Sequence, residues 1–339
     1  MTKRPIKFGI LGIDHRHIYG MCENTIVAGG ECVGWHTVGE PATLAGFVRR
    51  FPDIPRLANA DEILSNPDVD LILCAAIPRD RASIAIAAMR AGKDVMVDKP
   101  GCTTFEQLED IREVQKQSDR IWSVNFSERF EVPAVTKAIE LTRGGAIGDV
   151  LNIVGLGPHR ANLATRPDWF FARQAYGGVL CDIASHQIDQ FLAFTGSTSA
   201  EIVSARAENL ANPKRSGFQD FGEIMLRAGS ASGYIRVDWF TPNALPTWGD
   251  GRLFVTGSQG YIELRKYVDV GHSTKTNSLI LVNGEHCELI DASDAGLPYF
   301  ARLLDDVSQR TETAMPQAHA FEVMRLALLA QSIAESTSA

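Results

Sequence analysis

A doubly wound parallel α/β domain followed by an α+β domain is the fold class this sequence predicts. Three observations carry the prediction. Over the first third, short apolar β-branched runs alternate with helical patterns, and repeated β-α-β implies a parallel sheet covered on both faces. After about residue 124 the texture changes to strands of alternating polarity separated by turn residues, which marks a mainly antiparallel sheet. A length of 339 residues is enough for about two domains at roughly 150 residues each. We place the domains at 1–123 and 124–339.

The elements follow in order. Ile6 to Ile13 is an apolar run ending at a glycine turn, and Ile18 to Ala28 suits a helix. "ECVGW" is a second strand, and "ATLAGFVRRF" a helix that Pro52 and Pro55 bring to an end. A short helix "ADEILSNP" precedes the buried strand "VDLILCAAI". "DRASIAIAAMRAG" is an Ala-rich helix closed by Gly92. The strand "KDVMVDKP" leads to a helix over "TTFEQLEDIREVQKQS", with Thr103 or Thr104 as its cap, and then to the strand "IWSVNF". Beyond 124 come the helix "AVTKAIELTRGGAIG", the strand "DVLNIVGLGPHR" and one helix over "GGVLCDIASHQIDQFLAFTG". Seven strand candidates run from "EIVSARAENL" to "CELIDA", and two helices close the chain at 299–306 and 318–335.

Composition excludes some classes. A net charge of −8, with no basic run longer than two residues, disfavours nucleic acid and anionic membrane as partners. "LILCAAI" and its like are too short to span a bilayer. The six cysteines (Cys22, Cys32, Cys74, Cys102, Cys181, Cys287) lie far apart with no C-x-x-C, which reads as reduced, mostly buried thiols in a cytoplasmic protein.

Chemistry concentrates in three stretches. In "GILGIDHRHIYG", Gly12 fills the first position of a G-x-G-x-x-G dinucleotide loop, but Asp14 and His17 stand where the second and third glycines belong. Asp14 is expected to cap the following helix. Neither an acid nor an arginine stands at Thr37, after the second strand, to select a ribose hydroxyl or a 2′-phosphate. A competing reading takes His15-x-His17 as metal ligands of a hydrolase, though the repeating eight-fold β-α pattern of such barrels is absent. In "VMVDKPGCTT", Lys99 lies at the carboxyl end of a parallel strand, the active-site edge of a doubly wound sheet. In "YGGVLCDIASHQID", Asp182 and His186 stand at i and i+4 on one helix and share a face, which Asp189 partly continues.

Together these stretches resemble the Gfo/Idh/MocA oxidoreductases, the family of glucose–fructose oxidoreductase and inositol dehydrogenase. "DKP" at 98–100 is similar to the family's E-K-P, and "SVNFSERF" to its strand ending in Arg-Phe. "GGVLCDIASHQID" is similar to its G-G-x-x-x-D-x-x-x-H-x-x-D helix, and "VTGSQGYIEL" to its late G-x-x-G turn. The resemblance implies a Rossmann domain, a C-terminal domain with a large open sheet, and nicotinamide-dependent hydride transfer on sugars, polyols or related compounds. It implies Lys99, Asp182 and His186 as catalytic residues, and the chemistry of these residue types suits His186 as general base, Lys99 as donor to the same oxygen, and Asp182 as the group binding a substrate hydroxyl. Gly12, Ile13, Asp14, His15, Thr37, Ile77, Pro78, Asp98 and Lys99 are the cofactor-binding candidates. His159, Arg160, Asp168 and Trp169 are the substrate-pocket candidates. The cofactor is expected to be NAD or NADP, with no metal, in a homodimer or homotetramer. The family's usual histidine after T-P is absent from "AIPRDRA", where Arg79 and Arg81 stand instead. These departures leave a non-catalytic, ligand-binding or regulatory homologue as the alternative.

Overall fold

In the computed structural model, residues 4–271 and 276–337 are described, and the chain divides into two compact units. Unit 1 comprises Met1–Asn125, Gln174–Gly177 and Pro298–Phe321, and unit 2 the remainder.

Unit 1 holds five parallel strands, β1 (Lys7–Leu11), β2 (Glu31–His36), β3 (Leu71–Cys74), β4 (Asp94–Asp98) and β5 (Trp122–Asn125), in the order β2-β1-β3-β4-β5. They alternate with α1 (Ile18–Val27), α2 (Leu44–Arg50), α3 (Asp61–Leu64), α4 (Arg81–Arg90) and α5 (Phe105–Ser118). Every residue of β3, β4 and β5 is buried, as expected of parallel strands sandwiched between helices. The order reverses between β1 and β3, and at such a switch point a crevice opens beyond the strands' carboxyl ends. Of the two cap candidates on α5, Thr104 fills the role, its hydroxyl accepting from Gln107 N at 3.1 Å. The expected cap at Asp14 does not form. His17 holds the N-cap position of α1 and makes no side-chain cap bond, while Asp14 lies three residues earlier in the turn.

Unit 2 holds the strands β6 (Val150–Pro158), β7 (Glu201–Glu208), β8 (Phe221–Ala228), β9 (Ala231–Asp238), β10 (Arg252–Gly257), β11 (Gly260–Arg265), β12 (Ser278–Asn283) and β13 (Cys287–Asp291). Their order is β13-β12-β11-β10-β6-β9-β8-β7, antiparallel throughout except for the parallel pair β6–β9. Its helices include α6 (Ser127–Phe130), α7 (Pro133–Arg143) and α9 (Ser185–Thr195), and a short α8 (Arg173–Tyr176), which belongs mostly to unit 1, precedes α9 in sequence. The single helix expected over 177–196 is instead two pieces, a π-helical turn at Leu180–Ala184 and then α9. The double glycine that opens the segment explains the break. Gly177 and Gly178 have φ of +91° and +89°, and a Cβ on Gly178 would meet Gln331 Cδ at 2.2 Å. Gln331 Oε1 accepts from Leu180 N at 3.0 Å, so this turn is pinned before regular helix begins. Asp182 belongs to the π turn and His186 to α9, so α-helical i,i+4 spacing does not describe the pair.

The chain closes with α10 (Pro298–Gln309) and α11 (Gln317–Thr337). Everything after residue 124 was expected in the second domain, yet Pro298–Phe321 packs in unit 1. β5 is an edge strand and needs cover. Phe321 stacks on Trp122 at 4.8 Å, Trp122 N donates to Gln317 Oε1 at 2.9 Å, and Ser123 Oγ meets the Tyr299 hydroxyl at 2.7 Å. No disulfide joins the six cysteines; four are buried, Cys32 is half-buried and Cys287 exposed. Among the described residues no helix is long and apolar enough to cross a membrane.

Candidate functional site

The cofactor candidates all lie in unit 1, at the carboxyl ends of its strands. Gly12 has φ of +79°, and a Cβ there would sit 2.5 Å from Ala76 Cβ and 2.9 Å from its Cα, so the tight turn requires glycine. Gly12 N donates to His36 O at 2.9 Å, and Gly12 O accepts from Ala75 N at 3.1 Å. Ile13 N donates to Thr37 Oγ1 at 3.4 Å, and the Thr43 hydroxyl donates to Ile13 O. Thr37, 3% exposed, therefore holds the loop. Burial raises the Asp14 carboxyl above its ordinary range, against the pull of Arg81 and the backbone N–H groups of Asp14 and Ile77. Ile77 leads into a one-turn 3-10 helix at Pro78–Asp80.

Asp98, fully buried at the end of β4, gathers three donors and one close imidazole contact. Its Oδ1 accepts from His17 Nδ1 at 2.8 Å and from Lys99 N at 2.8 Å. Its Oδ2 accepts from Arg81 Nη2 at 3.0 Å and faces His15 Nδ1 at 2.7 Å, a close contact set off the hydrogen-bond line. Burial alone would raise the Asp98 carboxyl, but His17 and Arg81 outweigh it and hold the group well below the usual carboxylate range. His15 is driven down to about 3, first by burial and then by His17, against Asp98, and so stays neutral at pH 7.

Arg81 organises this corner. Fully buried, it donates from Nε to Ala76 O at 2.8 Å. Its Nη1 reaches Asp98 O at 3.0 Å, Lys99 O, and Pro100 O at 3.0 Å. The guanidinium thus ties the end of β3 to the turn that carries Lys99, which is itself 3% exposed.

Among the described residues, His15, His17 and Asp98 form a group whose ligand atoms lie within 4.8 Å of one another, close enough for a metal. The donor set opposes that use. Both Asp98 oxygens already serve the protein's own donors, and the Arg81 guanidinium at 3.0 Å would repel a dication. A dinucleotide fits better at the level of the crevice, the Gly12 turn and the start of the ten-residue α1, although Asp14 and the neutral His15 offer it no positive charge.

The remaining candidates lie in unit 2. Asp182 and His186 are 8% and 1% exposed, and Gln190 Nε2 donates to His186 O at 3.0 Å. Asp189 pairs with Arg129 in a fork of two 2.6 Å bonds, which locks the "SERF" segment to the "DIASHQID" helix. His159 meets Trp239 edge-on (centroids 5.3 Å apart) and Trp248 at a tilt (4.5 Å), with its Nδ1 3.0 Å from Gly157 O. Arg160 braces the 242–247 loop, donating to Pro242 O at 3.1 Å, Leu245 O and Thr247 O at 2.7 Å. Asp168 is exposed and Trp169 half-buried in a 3-10 turn at Asp168–Phe171.

Sequence reading missed a second buried charge cluster. Glu128, 1% exposed, accepts at Oε2 from Lys266 Nζ at 2.9 Å and from Gln187 Nε2 at 2.8 Å. Burial pushes its carboxyl up, but Lys266, then His186 and His159, hold it down to about 2. The only signal was the ionisable residues themselves, set 138 positions apart.

Comparison with known proteins agrees with this geometry. Residues 37–126 match the model of an oxidoreductase family with an NAD-binding Rossmann fold, and residues 135–263 that of the GFO/IDH/MocA C-terminal domain. A solved protein from Erwinia carotovora atroseptica, provisionally named an oxidoreductase, is 43% identical, with a TM-score of 0.93, over 97% of this chain and 98% of that one. Levoglucosan dehydrogenase of Pseudarthrobacter phenanthrenivorans is 32% identical over 47% of this chain and 42% of its own length. Inositol 2-dehydrogenase of Acidothermus cellulolyticus is 29% identical over 44% of each. The chain spans about half the length of the curated relatives it matches.

Proposed function

The chain belongs to the Gfo/Idh/MocA oxidoreductase family, and on that premise we propose that it is an NAD(P)-dependent dehydrogenase acting on a secondary alcohol of a sugar, polyol or related hydroxylated compound. The observation that carries the reading is Lys99, buried at the carboxyl end of a central strand in the NAD-binding unit and fixed by the Arg81–Asp98 corner. The names of the relatives, levoglucosan and inositol dehydrogenases, support the substrate class.

Gly12, Ile13, Asp14, His15, Thr37, Ile77, Pro78, Asp98 and Lys99 line the proposed cofactor site, and a bound nicotinamide supplies the hydride acceptor. His186 takes the hydroxyl proton, as an imidazole suits at neutral pH. Lys99 stabilises the negative charge that develops on oxygen as that proton leaves. Asp182 accepts from a substrate hydroxyl. His159, Arg160, Asp168 and Trp169 remain the proposed substrate contacts, with Arg160 acting through the loop it braces.

A screen of levoglucosan, inositols and D-xylose against NAD⁺ and NADP⁺ tests the activity. Lys99→Ala should cut kcat at least a hundredfold, the order expected for one electrostatic donor, and far more than it weakens NADH binding. Unchanged turnover in that variant removes Lys99 from the mechanism.

Asp14 in the nucleotide loop favours one second reading, a regulatory homologue without turnover. Failure to bind either nicotinamide cofactor in a fluorescence titration would support it. We further propose a homodimer or homotetramer in a reducing, cytoplasmic compartment, assembled through the face of the eight-stranded sheet that carries the cross-strand row Met225–Tyr234–Val154–Phe254.

A further inference from the structure

The Glu128 cluster has a feature its ion pair does not explain. Oε2 carries both the Lys266 and the Gln187 bonds, whereas Oε1 is fully buried and has no partner among the described residues. Gln187 Oε1 is likewise buried and unsatisfied. A carboxylate oxygen taken out of water without a donor is costly, so this position calls for a hydrogen-bond donor that the protein's own groups do not supply. The carboxylate is held ionised, chiefly by Lys266, and its other bond goes to Gln187, so Glu128 is tied to the helix that carries the proposed base. Gln187 directly follows His186 on α9, and glycines let that helix approach closely. A Cβ on Gly155 would meet Gln187 Cγ at 3.0 Å, and one on Gly157 would meet its Nε2 at 2.9 Å.

We propose that Glu128 is a specificity-determining residue whose Oε1 accepts a hydrogen bond from a ligand hydroxyl, with Lys266 and Gln187 fixing the carboxylate through Oε2. The proposal rests on the dehydrogenase reading and adds to it. The site selects a polyol presenting a hydroxyl donor to a buried anion, and it rejects ligands bearing an anionic group at that position.

The test pairs wild type with Glu128→Gln, using levoglucosan, myo-inositol and D-xylose together with their monodeoxy derivatives as probes. Hydrogen bonds to charged groups predict a loss of roughly 10- to 100-fold in kcat/KM for the parent compound that is turned over. On the monodeoxy derivative lacking the contacted hydroxyl, wild type and variant should agree within about threefold. NADH affinity should not change. Because Glu128→Gln leaves Lys266 buried without its counter-charge, Glu128→Gln/Lys266→Met is run alongside and should show the same hydroxyl dependence. An equal loss across all derivatives, or less than about threefold on the parent, overturns the proposal. No wild-type turnover of any probe would count against the dehydrogenase reading, and calorimetric binding of the same probes to both proteins would then decide Glu128 by the same criterion.

Discussion

Replacing Arg81 with methionine should cost unit 1 about 3–5 kcal/mol, the usual result of stripping one partner from a buried ion pair. Arg81 and Asp98 are both fully buried and 3.0 Å apart, so solvent cannot take over the role of the guanidinium. The substitution keeps most of the side-chain volume but removes the donors to Ala76 O, Asp98 O, Lys99 O and Pro100 O as well as to Oδ2. What remains for Asp98 is Lys99 N, His17 and a His15 that resists protonation. The assay is urea unfolding followed by tryptophan fluorescence, where such a loss moves the midpoint down by about 1 M or more at unchanged slope. Arg81→Lys keeps the charge but not the planar fork and should fall between the two. Arg81→Met/Asp98→Asn, which also removes the orphaned charge, should cost clearly less than the sum of the single changes. A loss below about 1 kcal/mol for Arg81→Met, or strict additivity in the double variant, would refute the view of this corner as a charge-paired unit.

Two more outcomes follow from the same unit. Gly12→Ala should lower stability by about 3 kcal/mol, combining left-handed backbone strain with a Cβ pressed onto the Ala76 backbone, and a thermal midpoint within 2 °C of wild type would contradict it. His15, at about 3 in the folded chain against an ordinary 6.5, makes the unfolded chain bind more protons between those values. Stability should therefore fall as pH drops through this window, by at most about 1.4 kcal/mol per pH unit. His15→Gln should flatten that part of the profile, and an identical slope between pH 6 and pH 4 in both proteins would rule His15 out.

What was legible in the sequence was local. Thr104 capping α5, the buried β-branched strands and the alternating strands of unit 2 all follow from spacing within a few residues. So does the position of Lys99 at a strand end. What was not legible depends on partners far along the chain. Asp98 was read as a cofactor contact, and the fold surrounds it with donors from the β1–α1 turn, 81 positions away, and from α4. Arg81 was noticed only as a departure from a motif, because nothing nearby in sequence says that a cation on the first turn of an Ala-rich helix will be wholly buried. The π turn before α9 was invisible because Gln331, which pins it, lies 151 residues beyond Leu180. Glu128 stood inside a quoted motif and still gave no sign of Lys266.

The return of Pro298–Phe321 to unit 1 has a consequence for the order in which the molecule can be completed. During synthesis the five parallel strands emerge first, yet the aromatic and polar cover of β5 arrives only after the intervening stretch of about 170 residues. At translation rates of about 5–20 residues per second, the wait is on the order of ten to thirty seconds. Through that interval Trp122 lacks its stacking partner and the buried Asp94 lacks Arg310. The sheet of unit 1 therefore precedes unit 2 in the message yet is finished after most of it, and the nascent chain spends that time with an open sheet edge in the reach of chaperones.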